Sequence, residues 1–109
     1  MRTSLKRTQG FRLVYRRGRW VRGAALSVGA YPNQLAQTRI GLRTRKGLKG
    51  AVVRNRLKRQ LRALLFSERI PLRIGVDVVV VIHPPTPGVA TPSLAKELLA
   101  LCRAAKAAP

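Results

Sequence analysis

Acidic residues are what this chain most lacks. Three stand against 23 Lys+Arg in 109 residues. So few carboxylates exclude a carboxylate cage for a hard cation and the paired acids of a glycoside hydrolase. The single cysteine, Cys102, excludes an internal disulfide framework and a four-cysteine zinc site. The single histidine, His83, removes most metal and acid–base constellations, and no nucleophile–base–orienter set is available. No run approaches the 18 or so apolar residues of a membrane span. The opening MRTSLKRTQG is charged with no apolar stretch behind it, so no secretory signal is expected. What remains is a soluble, intracellular single-domain binder of polyanions, with no membrane partner expected.

What the chain has is positive charge, unevenly placed. The net charge is +20, and residues 1–62 hold 18 Lys+Arg with no acid at all. All three acids, Glu68, Asp77 and Glu97, fall in the remaining part. Self-repulsion at this density opposes a compact monomer unless a polyanion offsets it. Arginine outnumbers lysine 17 to 6, which favours bidentate phosphate contacts and stacking on bases. A hydrophobic content of 46% is enough for a core and separates the chain from disordered basic tails.

The patterning predicts one α/β (α+β) domain over 1–109, a two-layer sandwich in the order αβββαβα. Residues 1–7 are expected to be a flexible basic arm and 104–109 a flexible tail. A first helix runs from Thr8 to about Arg17, with Phe11, Val14 and Tyr15 on one face and Gly18 as a left-handed cap. Strands are expected at 19–22, at 24–31, where Gly29 weakens the pattern, and at 38–45, which sets Ile40, Leu42 and Thr44 opposite Arg39, Arg43 and Arg45. The clearest helix is AVVRNRLKRQLRALLF at 51–66, with Val53, Leu57, Leu61 and Leu64 within an arc of roughly 80°. VDVVVVI at 76–82 has the continuous β-branched run of a buried strand, and a last helix spans 93–106.

The chemistry concentrates between Arg39 and Arg62, which hold 10 Lys+Arg and no acid. Arg54, Lys58 and Arg62 form one row along the helix, and Arg56 and Arg59 a second on another side. Gly47 and Gly50 leave the backbone open where first-turn N–H groups can meet an anion. Phe11 and Tyr15, followed by Arg16, Arg17 and Arg19, have the composition of a single-strand surface, on which bases stack and phosphates meet arginine. The same two rings also suit an ordinary helix core. Trp20 is expected to be core or a partly exposed strand residue. His83 is assigned no role, and Cys102 is expected to be a small buried hydrophobe.

The segment RIGLRTRKGLKGAVVRNRLKRQLRALLF resembles the signature region of the bacterial ribonuclease P protein subunit. The family's helix motif is matched by Ala51, Val52, Arg54, Asn55, Arg56, Lys58, Arg59 and Arg62. Phe11, Val14, Tyr15 and Gly18 resemble its first helix, and Asp77 followed by VVVVI and Pro84 its last strand. The resemblance implies the protein component of a tRNA 5′-end endonuclease, in which the RNA subunit performs the chemistry with Mg²⁺ and the protein supplies no catalytic residue. It implies a mixed central sheet with a left-handed βαβ crossover, a catalytic-RNA partner, precursor tRNA as substrate, no DNA partner, and a protein monomer in a cytoplasmic ribonucleoprotein. The cleft for the single-stranded leader would be lined by Phe11, Tyr15, Arg54, Asn55, Lys58 and Arg62. Lys46, Lys49, Arg56 and Arg59 would meet the catalytic RNA. The strand at 24–29 lacks aromatic residues common in the family, and Arg43 and Arg45 are expected to compensate through phosphate contacts. A general RNA chaperone or ribosomal-type protein is the competing expectation. A membrane-active basic protein is a third, which the compact αβ pattern argues against.

Overall fold

The computed structural model describes residues 2–5, 9–44, 51–67, 69–83 and 91–109, without the side chains of residues 9, 51, 53, 54 and 91–93. The order is β1 (Arg2–Ser4), α1 (Gln9–Arg17), β2 (Arg19–Arg22), β3 (Leu26–Pro32), β4 (Thr38–Thr44), α2 (Ala51–Phe66), β5 (Val76–Ile82) and α3 (Thr91–Ala104). The five strands form one mixed sheet in the order β1-β4-β5-β3-β2. β4 runs parallel to its neighbours β1 and β5, while β3 is antiparallel to β5 and β2. The parallel pair β4–β5 is joined through α2, the β–α–β unit that the two segments on either side of the basic link predict.

β5 is central and buried along its whole length, as its unbroken β-branched run requires. Successive side chains leave a strand on opposite faces. Val78, Val80 and Ile82 therefore join one core with Leu57, Leu61, Leu64 and Leu65 of α2 and Leu94, Leu98, Leu101 and Cys102 of α3. Val79 and Val81 join a smaller one with Leu5, and Phe11 and Val14 of α1. Helices thus cover both faces, and α1 adds a third layer to the expected two-layer sandwich. The reason is that β5 is apolar on both sides and each side needs a cover.

Both chain ends depart from expectation. The arm contributes β1, whose Arg2–Ser4 pair with Thr38–Ile40 of β4, and Leu5 continues with an N–H donated to the Ile40 carbonyl at 2.8 Å. Arg2 also donates to the carbonyls of Leu65 and Ile70, at 2.6 Å each. The last carbonyls of a helix have no partner within it, and α2 has no basic residue in its final turn. Arg2 supplies the missing cation from another element. The tail is held as well: Ala105, Ala107 and Ala108 are buried, and the Ala107 carbonyl accepts from the Arg73 N–H at 2.7 Å.

Glycine roles differ from the sequence reading too. Gly18 is not left-handed; Gly75, with φ 85°, is the glycine of that kind among the described residues. Gly18 is needed because a Cβ there would lie 2.5 Å from the Val14 carbonyl oxygen that its own N–H bonds.

Two acids fix the sheet. Asp77, 1% exposed, accepts two hydrogen bonds from Arg39 at 2.7 Å and one from Asn33 at 2.9 Å. Those bonds to Asp77 are the main reason the Arg39 guanidinium is held above its ordinary pKa. Glu97 of α3 accepts the N–H groups of Ala25 and Leu26 at 2.9 and 2.8 Å, tying the helix to the start of β3.

Candidate nucleic-acid interface

α1 is only nine residues long. It covers Val79 and Val81 but leaves the rest of its sheet face open. Trp20 and Arg22 alternate onto that face from β2, Ser27 from β3 and Arg43 from β4. Together with Tyr15, Thr44, Val81 and His83 they line a depression of about 700 Å³.

Its centre is aromatic. The rings of Tyr15 and Trp20 stack with centroids 5.2 Å apart and planes 11° from parallel. This is an offset stack, the favoured arrangement for two ring quadrupoles. Arg43 holds its guanidinium carbon 5.8 Å from the Tyr15 ring centroid, within cation–π range. The Trp20 indole N–H donates to the Val14 carbonyl at 3.0 Å, which fixes the ring to α1. Gly29, directly opposite Trp20 in the β2–β3 register, gives the indole its seat; a Cβ there would lie 2.3 Å from the ring. The glycine that weakens the strand pattern is thus the one the tryptophan requires. Gly41 does the same for Phe11, again with 2.3 Å to a would-be Cβ.

A second depression, of about 330 Å³, adjoins the first through Arg43 and Thr44 and adds Phe11, Leu42 and Lys58. β1 pairs with β4 only as far as Ile40. Beyond that point, among the described residues, no strand covers the outer edge of β4, and α1 and α2 approach it from opposite faces. The two depressions form one cleft with rings at its centre and cations from three elements.

The expected site residues fall into three groups. Phe11, Tyr15, Arg43 and Lys58 come together in the cleft. Asn55, Arg62, Arg56 and Arg59 are exposed on α2 and do not line it. Arg54 belongs to α2, but its side chain is outside the described residues; Arg45, Lys46, Lys49 and the link around Gly47 and Gly50 are outside them altogether. Sequence reasoning missed Trp20, Arg22, Ser27 and His83. The available signal was parity: Trp20 and Arg22 share a face of β2. His83 is buried and shares a hydrogen bond with Ser27 Oγ at 2.5 Å.

A profile described as Ribonuclease P matches residues 1–106. The chain belongs to the bacterial ribonuclease P protein family. A ribonuclease P protein component of Syntrophobacter fumaroxidans is 37% identical over 99 residues, covering 89% of this chain and 82% of the relative. One from Beutenbergia cavernae is 34% identical over 95 residues, covering 86% and 80%. The fold matches the ribonuclease P protein of Staphylococcus aureus with a TM-score of 0.84 at 24% identity, over 99% of this chain and 97% of that one. The Thermotoga maritima ribonuclease P protein gives 0.80 at 22% identity, over 90% and 93%. As a ribonuclease P protein the chain works in tRNA processing, as part of a ribonucleoprotein with the ribonuclease P RNA. Among the described residues no helix is long and apolar enough to cross a membrane.

Proposed function

We propose that this ribonuclease P protein holds the single-stranded 5′ leader of precursor tRNA in the aromatic cleft, while the catalytic RNA performs the Mg²⁺-dependent cleavage. The observation that carries this reading is the Tyr15–Trp20 stack with Arg43 over it. Unpaired bases expose faces that stack on such rings, and the phosphates between them meet arginine and lysine. A duplex has its bases already stacked and offers the rings nothing.

Within that reading Tyr15 contacts bases, the buried Phe11 lines the cleft beneath them, and Arg43 and Lys58 contact phosphates. Arg45, Arg54, Asn55 and Arg62 contribute further leader contacts. Lys46, Lys49, Arg56 and Arg59 meet the catalytic RNA. The protein acts as a monomer in the ribonucleoprotein, in the cytoplasm.

The described residues do not fit a Mg²⁺ site. Magnesium wants carboxylates, carbonyls and water in octahedral array. Asp77 and Glu97 are both engaged in internal hydrogen bonds, and no group of three His, Cys, Asp or Glu side chains forms among the described residues. Within this reading the RNA holds the Mg²⁺, and the protein's part is to bind and orient.

The test is reconstitution with a bacterial ribonuclease P RNA at low Mg²⁺, following leader release from precursor tRNAs of graded leader length. Stimulation that grows with leader length until the cleft is filled is the expected result. Stimulation independent of leader length, or none, would remove the cleft from the leader's path.

A further inference from the structure

A separate basic depression lies at the other end of the sheet. β3 connects the two: Ser27 lines the cleft, while Ala30, Tyr31 and Pro32 line the second depression. Tyr31 stands four positions beyond Ser27 on the strand, about 13 Å away. This basin measures about 540 Å³ and is completed by Arg17, Gly18, Arg19, Val76, Ala105 and Lys106. It shares no lining residue with the cleft.

Three cations thus converge on an apolar floor beside a half-buried phenol. None of Arg17, Arg19 and Lys106 has an ion-pair partner among the described residues. The nearby acid does not neutralise them: Asp77 stands opposite Tyr31 in the β3–β5 register, yet it is 1% exposed and bridged to Arg39. Glu97 is turned to the Ala25 and Leu26 amides.

Lys106 adds a second, independent cost. Its φ is 64°, in the left-handed region. It follows α3 at the position where helices commonly place glycine, and the Ala107 and Ala108 N–H groups return to the Cys102 carbonyl at 2.8 and 3.1 Å. A side chain there is disfavoured relative to glycine. A cation at a helix C-terminus recovers part of that through the helix dipole. The dipole does not explain Arg19, which stands on a strand, nor why three cations should share one concavity.

We propose that this basin is a further RNA-binding site, apart from the cleft and from the cations assigned to the catalytic RNA on α2 and the link before it, and that it grips the phosphodiester backbone of an RNA segment other than the leader. Arg17, Arg19 and Lys106 would meet phosphate oxygens, and Tyr31 with the apolar floor would pack against a ribose or base. The proposal rests on the family's RNA partnership and not on the leader reading, so either can fail alone.

The test uses the full chain with the triple substitution Arg17→Ala, Arg19→Ala and Lys106→Ala, and as a charge-matched control Arg69→Ala, Arg73→Ala and Arg103→Ala, all exposed. Binding to ribonuclease P RNA and to mature tRNA is measured across salt concentration. Each lost phosphate contact should flatten the log–log salt slope by about 0.7 to 0.9. The basin variant should therefore flatten it by about 2 units with one of the two RNAs, and that RNA is the source of the segment. Its dependence on leader length should stay intact. An unchanged slope with both RNAs, or an equal flattening in the control, overturns the proposal. Lys106→Gly sharpens the result: its melting temperature should be unchanged or raised while RNA affinity falls several-fold, and Lys106→Arg should keep the affinity. Parent-like affinity of Lys106→Gly counts against the site.

Discussion

The two faces of the sheet solve different problems with the same strands. Val78, Val80 and Ile82 are sealed beneath two long helices, whereas Val79 and Val81 lie beneath the short α1 beside an open, ring-lined cleft. One face gathers leucines; the other gathers tyrosine, tryptophan and arginine around glycine seats. Stability is concentrated on the first and recognition on the second, so a substitution's effect should depend on which face it meets.

The largest effect should come from the sealed face. Leu61, fully buried, should cost about 2–5 kcal/mol of stability as Leu61→Ala, measured by denaturant unfolding. Leader affinity per folded molecule should hold. On the open face the pattern should reverse. Tyr15→Ala should weaken leader binding by about 1–3 kcal/mol, the usual worth of one base–ring stack. Tyr15→Phe should retain most of it, and neither should shift the melting temperature much, because Tyr15 is 42% exposed. Gly29→Val should cross the comparison: it unseats Trp20, losing stability and leader affinity together, and fluorescence of this single tryptophan would report the displacement. Comparable losses of stability in Tyr15→Ala and Leu61→Ala would dissolve the distinction between the faces.

A finer contrast concerns α2. Arg54→Ala should weaken leader binding and Arg59→Ala assembly with the catalytic RNA. Equal effects of both in both assays would refute the division of the helix into two rows. At neutral pH the smallest effect belongs to Cys102. Burial pushes its thiol up from an ordinary 9.0 to about 12. Thiol reagents at neutral pH should leave it unmodified in the native chain and label it on unfolding. An acid whose pKa is raised by folding stabilises the fold below its unfolded value. This contribution should therefore be intact below about pH 9 and vanish as pH climbs toward about 12.

Much of this was legible because local pattern and tertiary demand agree. The stripe of Leu57, Leu61 and Leu64, and the run at 76–82, are buried wherever a sheet and helix meet, so periodicity sufficed. Two of the cleft's rings, Phe11 and Tyr15, were visible from their helical spacing beside arginines. Trp20 was not, since a ring lying flat on Gly29 is a cross-strand relation that appears only once β2 and β3 are in register. The strand at Arg2–Ser4 was hidden too. It is held by β4 and by the end of α2, partners dozens of residues away, and a short basic stretch carries no sign of them. The buried alanines near the C-terminus look like a loose tail because each residue is too small to signal a core position.

The bonds from Arg2 have a consequence for how the chain matures. Its two acceptors, the carbonyls of Leu65 and Ile70, follow it by 63 and 68 residues. At translation rates of about 5–20 residues per second, Arg2 waits several seconds for them. Until then β1 has nothing to clasp at the far end of α2. The strand that comes first in sequence therefore completes its bonding only after more than half of the chain has been made.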